Sequence, residues 1–242
     1  MMVLYSLVAL LGFAAAICAG FAHPRMLDAD DVIVLSRDGN PRVMKDAAYE
    51  ALERAAAVAP APAPAPLSLR GATSTSGIAR RGCEQSSEVQ ILSNASFLDW
   101  DVAISPVVSA IGVNKTQVSI GDGYSISNQL KIKGKAKLGS KDIIRQSLEL
   151  AYDVKWKTSQ ENTYRYTMLG HMYGVIISQP RVNRLEGAVL SGCTNNFDVE
   201  PFEFNSYTSQ SFGQLHWVSG VIRLCVNETY PIPFCNGEGF HR

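Results

Sequence analysis

The chain has no surplus of charge: 22 Lys and Arg stand against 22 Asp and Glu over 242 residues. That balance excludes a binder that works through bulk basicity, and a hydrophobic share of 46% excludes a disordered, charge-rich tail. Cysteine is scarce as well, at five residues, which is too few for a disulfide-dense miniprotein. No Cys-x-x-Cys occurs, and the late histidines, His171, His216 and His241, stand far apart, so no zinc spacing can be drawn. No nucleophile elbow, phosphate loop or metalloprotease helix motif is present. After residue 22 no apolar run is long enough for a membrane-spanning helix.

What is present begins with an apolar stretch. Met1 to Ala22 carries no charged side chain, runs from Val3 through Leu10, Phe13 and Ile17, and ends Gly20-Phe21-Ala22, small residues at the positions a signal peptidase reads. The expectation is a signal peptide over 1–22 and an extracellular, secreted product. Residues 23–81 then read as a pro-region. It has an acidic start, an apolar run at Val32 to Leu35 and a turn at Asp38 to Pro41. A small helix follows, with Val43, Met44, Ala47, Ala48, Ala51, Leu52 and Ala55 on one face. Ala59 to Pro66 alternates Ala and Pro, which forbids a helix and gives an extended linker. The linker leads to Arg80-Arg81, a dibasic pair that a kexin-type protease would cut during secretion, leaving residues 82–242 as the mature β-rich domain.

Cys18 leaves with the signal peptide, so Cys83, Cys193, Cys225 and Cys235 remain, an even set that implies two disulfides. Cys225 and Cys235 bracket Tyr230-Pro-Ile-Pro233, a kinked loop suited to closing on itself, which favours Cys225–Cys235 and leaves Cys83 for Cys193. Asn94, Asn114 and Asn227 each open a glycosylation sequon, and these are expected on surface turns.

Beyond Cys83 the pattern is β. Val, Ile, Tyr, Thr and Phe alternate with Gly, Asn, Ser and Pro, giving strands at Glu88 to Ser93, Asp101 to Ala110, Gly123 to Leu138 and Ile144 to Met168. Four more follow at Met172 to Ser178, Arg184 to Cys193, Phe202 to Thr208 and Gln214 to Val226. The expected fold is mainly β, an antiparallel sandwich or elongated sheet with one long amphipathic hairpin over 123–168. On that hairpin Tyr124, Ile126, Leu130, Ile132, Ala136 and Leu138 share one face, while Lys131, Lys133, Lys135 and Lys137 share the other, joined by Lys155 and Lys157 from the second strand. Charge sets the register. Leu138 opposite Tyr152 would put Lys133 against Lys157 and Lys135 against Lys155, which is repulsive, whereas Leu138 opposite Ile144 puts Lys133 against Glu149. The second register is expected, although Ile143, Ile144, Ser147, Leu148 and Ala151 also make a helical stripe.

These residues resemble the CELP-type effector-like secreted proteins of filamentous ascomycetes. The resemblance rests on Asp30-Asp-Val-Ile-Val-Leu35, Val43-Met-Lys45 with Tyr49 and Leu52, Arg80-Arg81 ahead of Cys83, Leu98-Asp-Trp-Asp-Val102, Gly123-Tyr-Ser-Ile-Ser-Asn128 and Tyr173-Gly-Val-Ile-Ile-Ser178. Gly192-Cys193, Ser206-Tyr-Thr-Ser209, Trp217-Val with Leu224-Cys225, and Tyr230 to Pro233 with Cys235 extend it. It implies a secreted fungal protein of prepro organisation acting at a plant interface, and it transfers no catalytic residue. The Lys-rich stretch departs from the Ser/Thr-rich one expected of relatives.

Three activities were weighed on the residues. The first is a non-enzymatic β-scaffold acting on a host protein, the cell wall or a membrane surface, with no cofactor and no metal. Its nearest approach to chemistry is Asp99 and Asp101 flanking Trp100, a carboxylate pair beside an aromatic platform, for which a strand entrance with Trp100 in the core is the plainer reading. The second is an aerolysin-like pore-forming toxin that inserts the 123–168 hairpin, whose strands exceed the roughly 9 to 11 residues a tilted membrane strand needs. In both, Lys131, Lys133, Lys135, Lys137, Lys155 and Lys157 are candidates for meeting an anionic partner. Nucleic acid is the third and is not expected, because residues 82–242 hold 14 Lys and Arg against 15 Asp and Glu.

Overall fold

The computed structural model describes residues 25–36, 41–58, 86–121, 123–134, 139–150, 155–157, 164–193, 196–212 and 215–242. The signal peptide, the Ala-Pro linker, Arg80, Arg81, Cys83, Lys135 and Lys137 lie outside them. The chain opens with strands β1 (Arg25–Leu27), β2 (Asp31–Leu35) and β3 (Pro41–Lys45), followed by helix α1 (Asp46–Val58). Strands β4 (Ser86–Leu98), β5 (Val102–Ala103), β6 (Val108–Ser109), β7 (Lys115–Ser119), β8 (Ser125–Ser127) and β9 (Gln129–Ile132) precede helix α2 (Ser140–Leu148). After it come β10 (Lys155–Lys157), β11 (Tyr164–Leu169), β12 (Tyr173–Cys193), β13 (Asn196–Tyr207), β14 (Ser209–Phe212) and β15 (Leu215–Val218). Strands β16 (Gly220–Asn227), β17 (Ile232–Pro233) and β18 (Phe240–His241) close the chain. The protein is therefore mainly β with two short helices, and its main sheet is not closed into a barrel.

Strand β12 is the spine. Two strands, Met172 to Ser178 and Arg184 to Cys193, were expected with a break across Pro180, a residue that cannot donate to a ladder. They are one strand of 21 residues. Pro180 sits where the neighbours change: β16 pairs with Tyr173 to Pro180, and β13 takes over from Val182 to Cys193. The missing N–H thus falls between two ladders and interrupts neither. The carbonyl of Pro180 is still used, accepting from the Asp99 amide at 2.7 Å. On the other side of β12 lie β4, β5 and β6. The expected strand Asp101 to Ala110 survives only as the short β5 and β6, because Pro106 interrupts it and the Ser105 hydroxyl replaces a ladder acceptor for the Ile176 amide at 2.8 Å.

The 123–168 hairpin is corrected. Residues 140–148 form α2 instead of continuing a strand, and β9 pairs with β13. The alternation still tells which way β9 faces, since Leu130 and Ile132 pack inward while Gln129 and Lys131 are exposed. What overrides it beyond Gly139 is the helical stripe. Ile144 is fully buried against Val89, Val189 and Phe202, and Ile143, Leu148 and Leu150 surround it. A continued strand would turn Ile143 away from Ile144, Leu148 and Leu150, whereas the helix and the residues just after it bring all four to one cluster. Ser140 does not cap the helix; its hydroxyl donates to the buried Glu200 Oε2 at 2.6 Å. Strands β8 and β10 do meet, with Lys155 opposite Ser127 and Lys157 opposite Ser125, which is the offset that Leu138 opposite Ile144 would have given. The tight turn that offset presupposed is absent.

The largest core cluster lies between β1-β11-β7 and the main sheet. Leu27, Val118, Tyr166 and Met168 come from the smaller sheet, and Ile33, Leu35, Ile176, Ile222 and Leu224 from the larger. Burial pushes the phenols of Tyr49 and Tyr124 up to about 12, and those of Tyr166 and Tyr207 further still. In the unfolded chain these groups ionise near pH 10, so above that pH the unfolded state loses protons first and the folded state is disfavoured. Each fully buried phenol withdraws up to about 1.4 kcal/mol per pH unit until its folded pKa is reached. Urea midpoints are expected to hold from pH 8 to about 9.5 and to fall steeply by pH 11. Equal midpoints at pH 9 and 11 would contradict the burial of these rings.

Candidate functional site

Leu98-Asp-Trp-Asp-Val102 is the one stretch in which the sequence set carboxylates beside an exposed-type aromatic. None of Asp99, Trp100 and Asp101 lies on a strand; they link β4 to β5. The Asp101 side chain is completely buried. Its Oδ1 accepts from Gln179 Nε2 at 2.7 Å and from the Asn236 amide at 3.1 Å, while Oδ2 accepts from the Cys235 amide at 2.6 Å and lies 3.3 Å from His241 Nε2. The Asp101 amide returns a bond to the Asn236 carbonyl at 3.1 Å, and Asn236 Nδ2 donates to the carbonyls of Leu98 and Asp99. Three N–H donors are thus turned toward this carboxylate, with the His241 ring nitrogen beside it. A buried carboxylate is tolerable only when satisfied in this way.

The loop so held is closed by the Cys225–Cys235 disulfide, as its spacing predicted. Cys225, Ile232, Val175 and Ile177 form a separate small core beneath it. Asp101, Cys225 and Cys235 bring their ligand atoms within 4.8 Å of one another. The two sulfurs are bonded to each other and the carboxylate oxygens face N–H donors, so this donor set does not fit a metal ion. Cys193 is also disulfide-bonded, and its expected partner Cys83 lies outside the described residues.

Asp99 is half-buried, with one partner on each oxygen. Its Oδ1 accepts from the Trp100 amide at 2.9 Å and its Oδ2 accepts from the Tyr207 hydroxyl at 2.6 Å. Desolvation and then this bond hold the Tyr207 phenol above its usual range. The two carboxylates therefore do not converge on a common space. Trp100 is not core, contrary to the plainer reading: 56% of it is exposed. The backbone at Gly237 lies against its indole, since a Cβ there would come 2.6 Å from the indole Cγ. One ring face is backed by peptide and the remainder is open. Tyr230 is exposed within the disulfide-closed loop and Phe240 beyond it, at 54% and 59%, and Tyr173 supports Tyr230 at a centroid distance of 5.5 Å.

The lysines are placed otherwise. Lys131 is exposed on β9, and Lys133 Nζ lies 3.7 Å from both Glu186 Oε1 and Glu203 Oε2, not against Glu149. Arg184 joins the same group, 3.6 Å from Glu203, bonded to Asn205 Oδ1 at 2.9 Å and stacked 4.9 Å over the Phe97 ring. This face is a mixed network of both signs. Lys155 and Lys157 lie on β10. Of the sequons, Asn94 is exposed on strand β4 rather than on a turn, and Asn114 is exposed ahead of β7. Asn227 ends β16, where its Oδ1 accepts from the Thr229 amide and hydroxyl at 2.8 Å.

Gln179, Asn236 and His241 were not singled out in the sequence. They reach Asp101 across 78, 135 and 140 residues, and no local pattern marks such donors. No helix among the described residues is long and apolar enough to cross a membrane, which leaves strands aside. The chain matches no family model, no curated protein and no solved structure.

Proposed function

We propose that the protein is a secreted, non-enzymatic β-scaffold of the effector-like kind, processed by a kexin-type protease and acting at an extracellular host or cell-wall surface. The observation that carries this reading is the state of Asp99-Trp100-Asp101. Both carboxylates hold internal hydrogen bonds on each oxygen, while the indole between them is exposed and lies against the Gly237 backbone. Such an arrangement suits binding: the aromatic is ordered before contact, so little side-chain entropy is lost on association. The apolar run at the N-terminus and the resemblance of Leu98 to Val102 and Tyr230 to Cys235 to secreted fungal proteins support the extracellular setting.

Polysaccharide is the ligand class best matched by an exposed indole lying against main chain, with Tyr230 and Phe240 as further exposed aromatics of the C-terminal segment. Retention of purified protein on insoluble cell-wall polysaccharide is expected to fall about tenfold or more with Trp100→Ala, in line with the loss of an aromatic anchor. The unfolding midpoint should change little, because the ring is more than half exposed. Wild-type protein that passes through the matrix, or a Trp100→Ala variant retained equally, rejects this surface.

A further inference from the structure

The segment expected to leave on processing is built into the fold. Strand β2 lies between β3 and β16, pairing Val32 with Arg223, Ile33 with Ile222, Val34 with Val221 and Leu35 with Gly220. Strand β1 runs parallel to β11 from Arg25–Tyr164 to Leu27–Tyr166. Leu27, Ile33 and Leu35 enter the core between the two sheets, and Val32 and Tyr49 cover the other face of β16 with Val221. Ile33 is fully buried. Two cations of the body are answered from the segment: Arg181 donates to the Tyr49 hydroxyl at 2.9 Å and to Glu53, and Arg223 lies 2.9 Å from Asp46 Oδ1. Without residues 25–58, β16 and β11 would each present an open edge, apolar side chains on both faces would meet water, and Arg181 and Arg223 would lose their carboxylates.

We infer that residues 86–242 carry a strand-accepting groove whose standing ligand is the chain's own segment 25–58. Cutting the linker at Arg80-Arg81 then yields a two-chain protein, not a released pro-segment and a free 82–242 domain. No cysteine occurs between residues 23 and 81, so the union is non-covalent. That such a cut happens during secretion rests on the processing proposed above. The docking itself rests on the pairing and burial just given.

The full chain offers a direct test, because Arg80-Arg81 is the only place where two Lys or Arg residues are adjacent. Purified protein is cut with a kexin-type protease, or, if the linker resists, with a site-specific protease whose recognition sequence is placed between Pro66 and Ser76. Size exclusion with intact mass analysis is expected to find both fragments in one peak at 1:1, separating in denaturant without reductant. A peak of 82–242 lacking the fragment overturns the inference, whether or not that product stays folded. Ile33→Asp should release the fragment on cutting, and Leu52→Asp, at a 58% exposed position, should retain it. Should Ile33→Asp fail to accumulate, the Asp46→Ala, Glu53→Ala double variant should exchange its fragment for excess labelled 23–58 peptide about tenfold faster than wild type, since loss of a clamping charge acts on dissociation. Unchanged exchange would overturn the assigned clamp. These readouts measure association alone, so a failure of the secretion or polysaccharide reading leaves them intact, and the reverse.

Discussion

Asp101→Ala is expected to lower stability by about 3 to 5 kcal/mol, the range for removing one partner of a buried charged network. The substitution removes a fully buried carboxylate that faces the half-buried Cys235 and Asn236 amide bonds, the buried Gln179 Nε2 and the buried His241 ring. Each orphaned donor alone costs about 1 to 3 kcal/mol, so the total reflects partial relaxation of the loop. Asp101→Asn separates charge from shape. It keeps the volume but turns an NH2 toward one of the N–H donors, and about half the loss should remain. Urea denaturation with the slope held constant measures both variants. The disulfide should keep the loop tethered, so amide exchange at 235–241 is expected to rise before global unfolding. A variant with the wild-type midpoint and unchanged protection at Cys235 and Asn236 would show that the carboxylate is not what holds this end of the molecule.

The parts of the fold that were legible in the sequence are those set by local alternation or local spacing. Arg184 to Cys193 falls inside β12 and Phe202 to Tyr207 inside β13, Thr208 lying just past its end; Phe202 and Phe204 alternate into the core, while Ala188, Val189 and Leu190 follow one another as a short apolar run. Cys225–Cys235 followed from the loop it brackets. Residues 140–148 carried two periodicities at once, and the choice between them was made by Ile144 finding Val89, Val189 and Phe202, residues remote in sequence. The role of 25–58 was hidden for a similar reason. The apolar run Val32 to Leu35 is β2 and a helix does follow, but Val43 and Met44, expected on that helix, belong to β3, and the face of Ala47, Ala48, Ala51, Leu52 and Ala55 is exposed while Tyr49 is the residue buried. That β2 stands next to β16 depends on contacts nearly 190 residues apart, as in Ile33 with Ile222. A proline-rich linker marks a break in the chain path; it carries no information on whether the pieces share a core. The candidate site shows the same limit, since Trp100 was visible as an aromatic between two acids while the donors to Asp101 come from β12 and the C-terminal segment and the Tyr207 hydroxyl reaches Asp99 from β13.

Gly220→Ala is expected to cost at least about 3 kcal/mol and to disturb the docking of β2 along with the body, in the upper tail of single substitutions. Gly220 opens β16, pairs with Pro180 on one side and Leu35 on the other, and so stands where the spine strand passes from one neighbour to the next. A Cβ there would lie 2.2 Å from the Gln179 carbonyl oxygen, 2.9 Å from Pro180 Cα and 3.0 Å from the Arg181 amide nitrogen. All three are backbone atoms, so no side-chain rotation can relieve the overlap, and the φ of 155° adds strain for any L side chain. Relief requires β16 to move off β12, which would break the Arg181 amide to Ser219 carbonyl bond of 2.7 Å and the β2 pairing beyond it. Gly121→Ala is the matched control: nothing lies within 4 Å of its Cβ position, and it should be neutral or stabilising by up to about 1 kcal/mol through the unfolded chain. The two variants are compared by urea midpoint and, after cutting of the linker, by retention of the 23–81 fragment. If Gly220→Ala matches Gly121→Ala in both, then β12 and β16 do not approach as closely as this crossing requires. If it loses the fragment while residues 82–242 stay folded, the strain falls on the β2–β16 seam, and Gly220 is the residue that lets the spine accept a strand supplied from the other side of the linker.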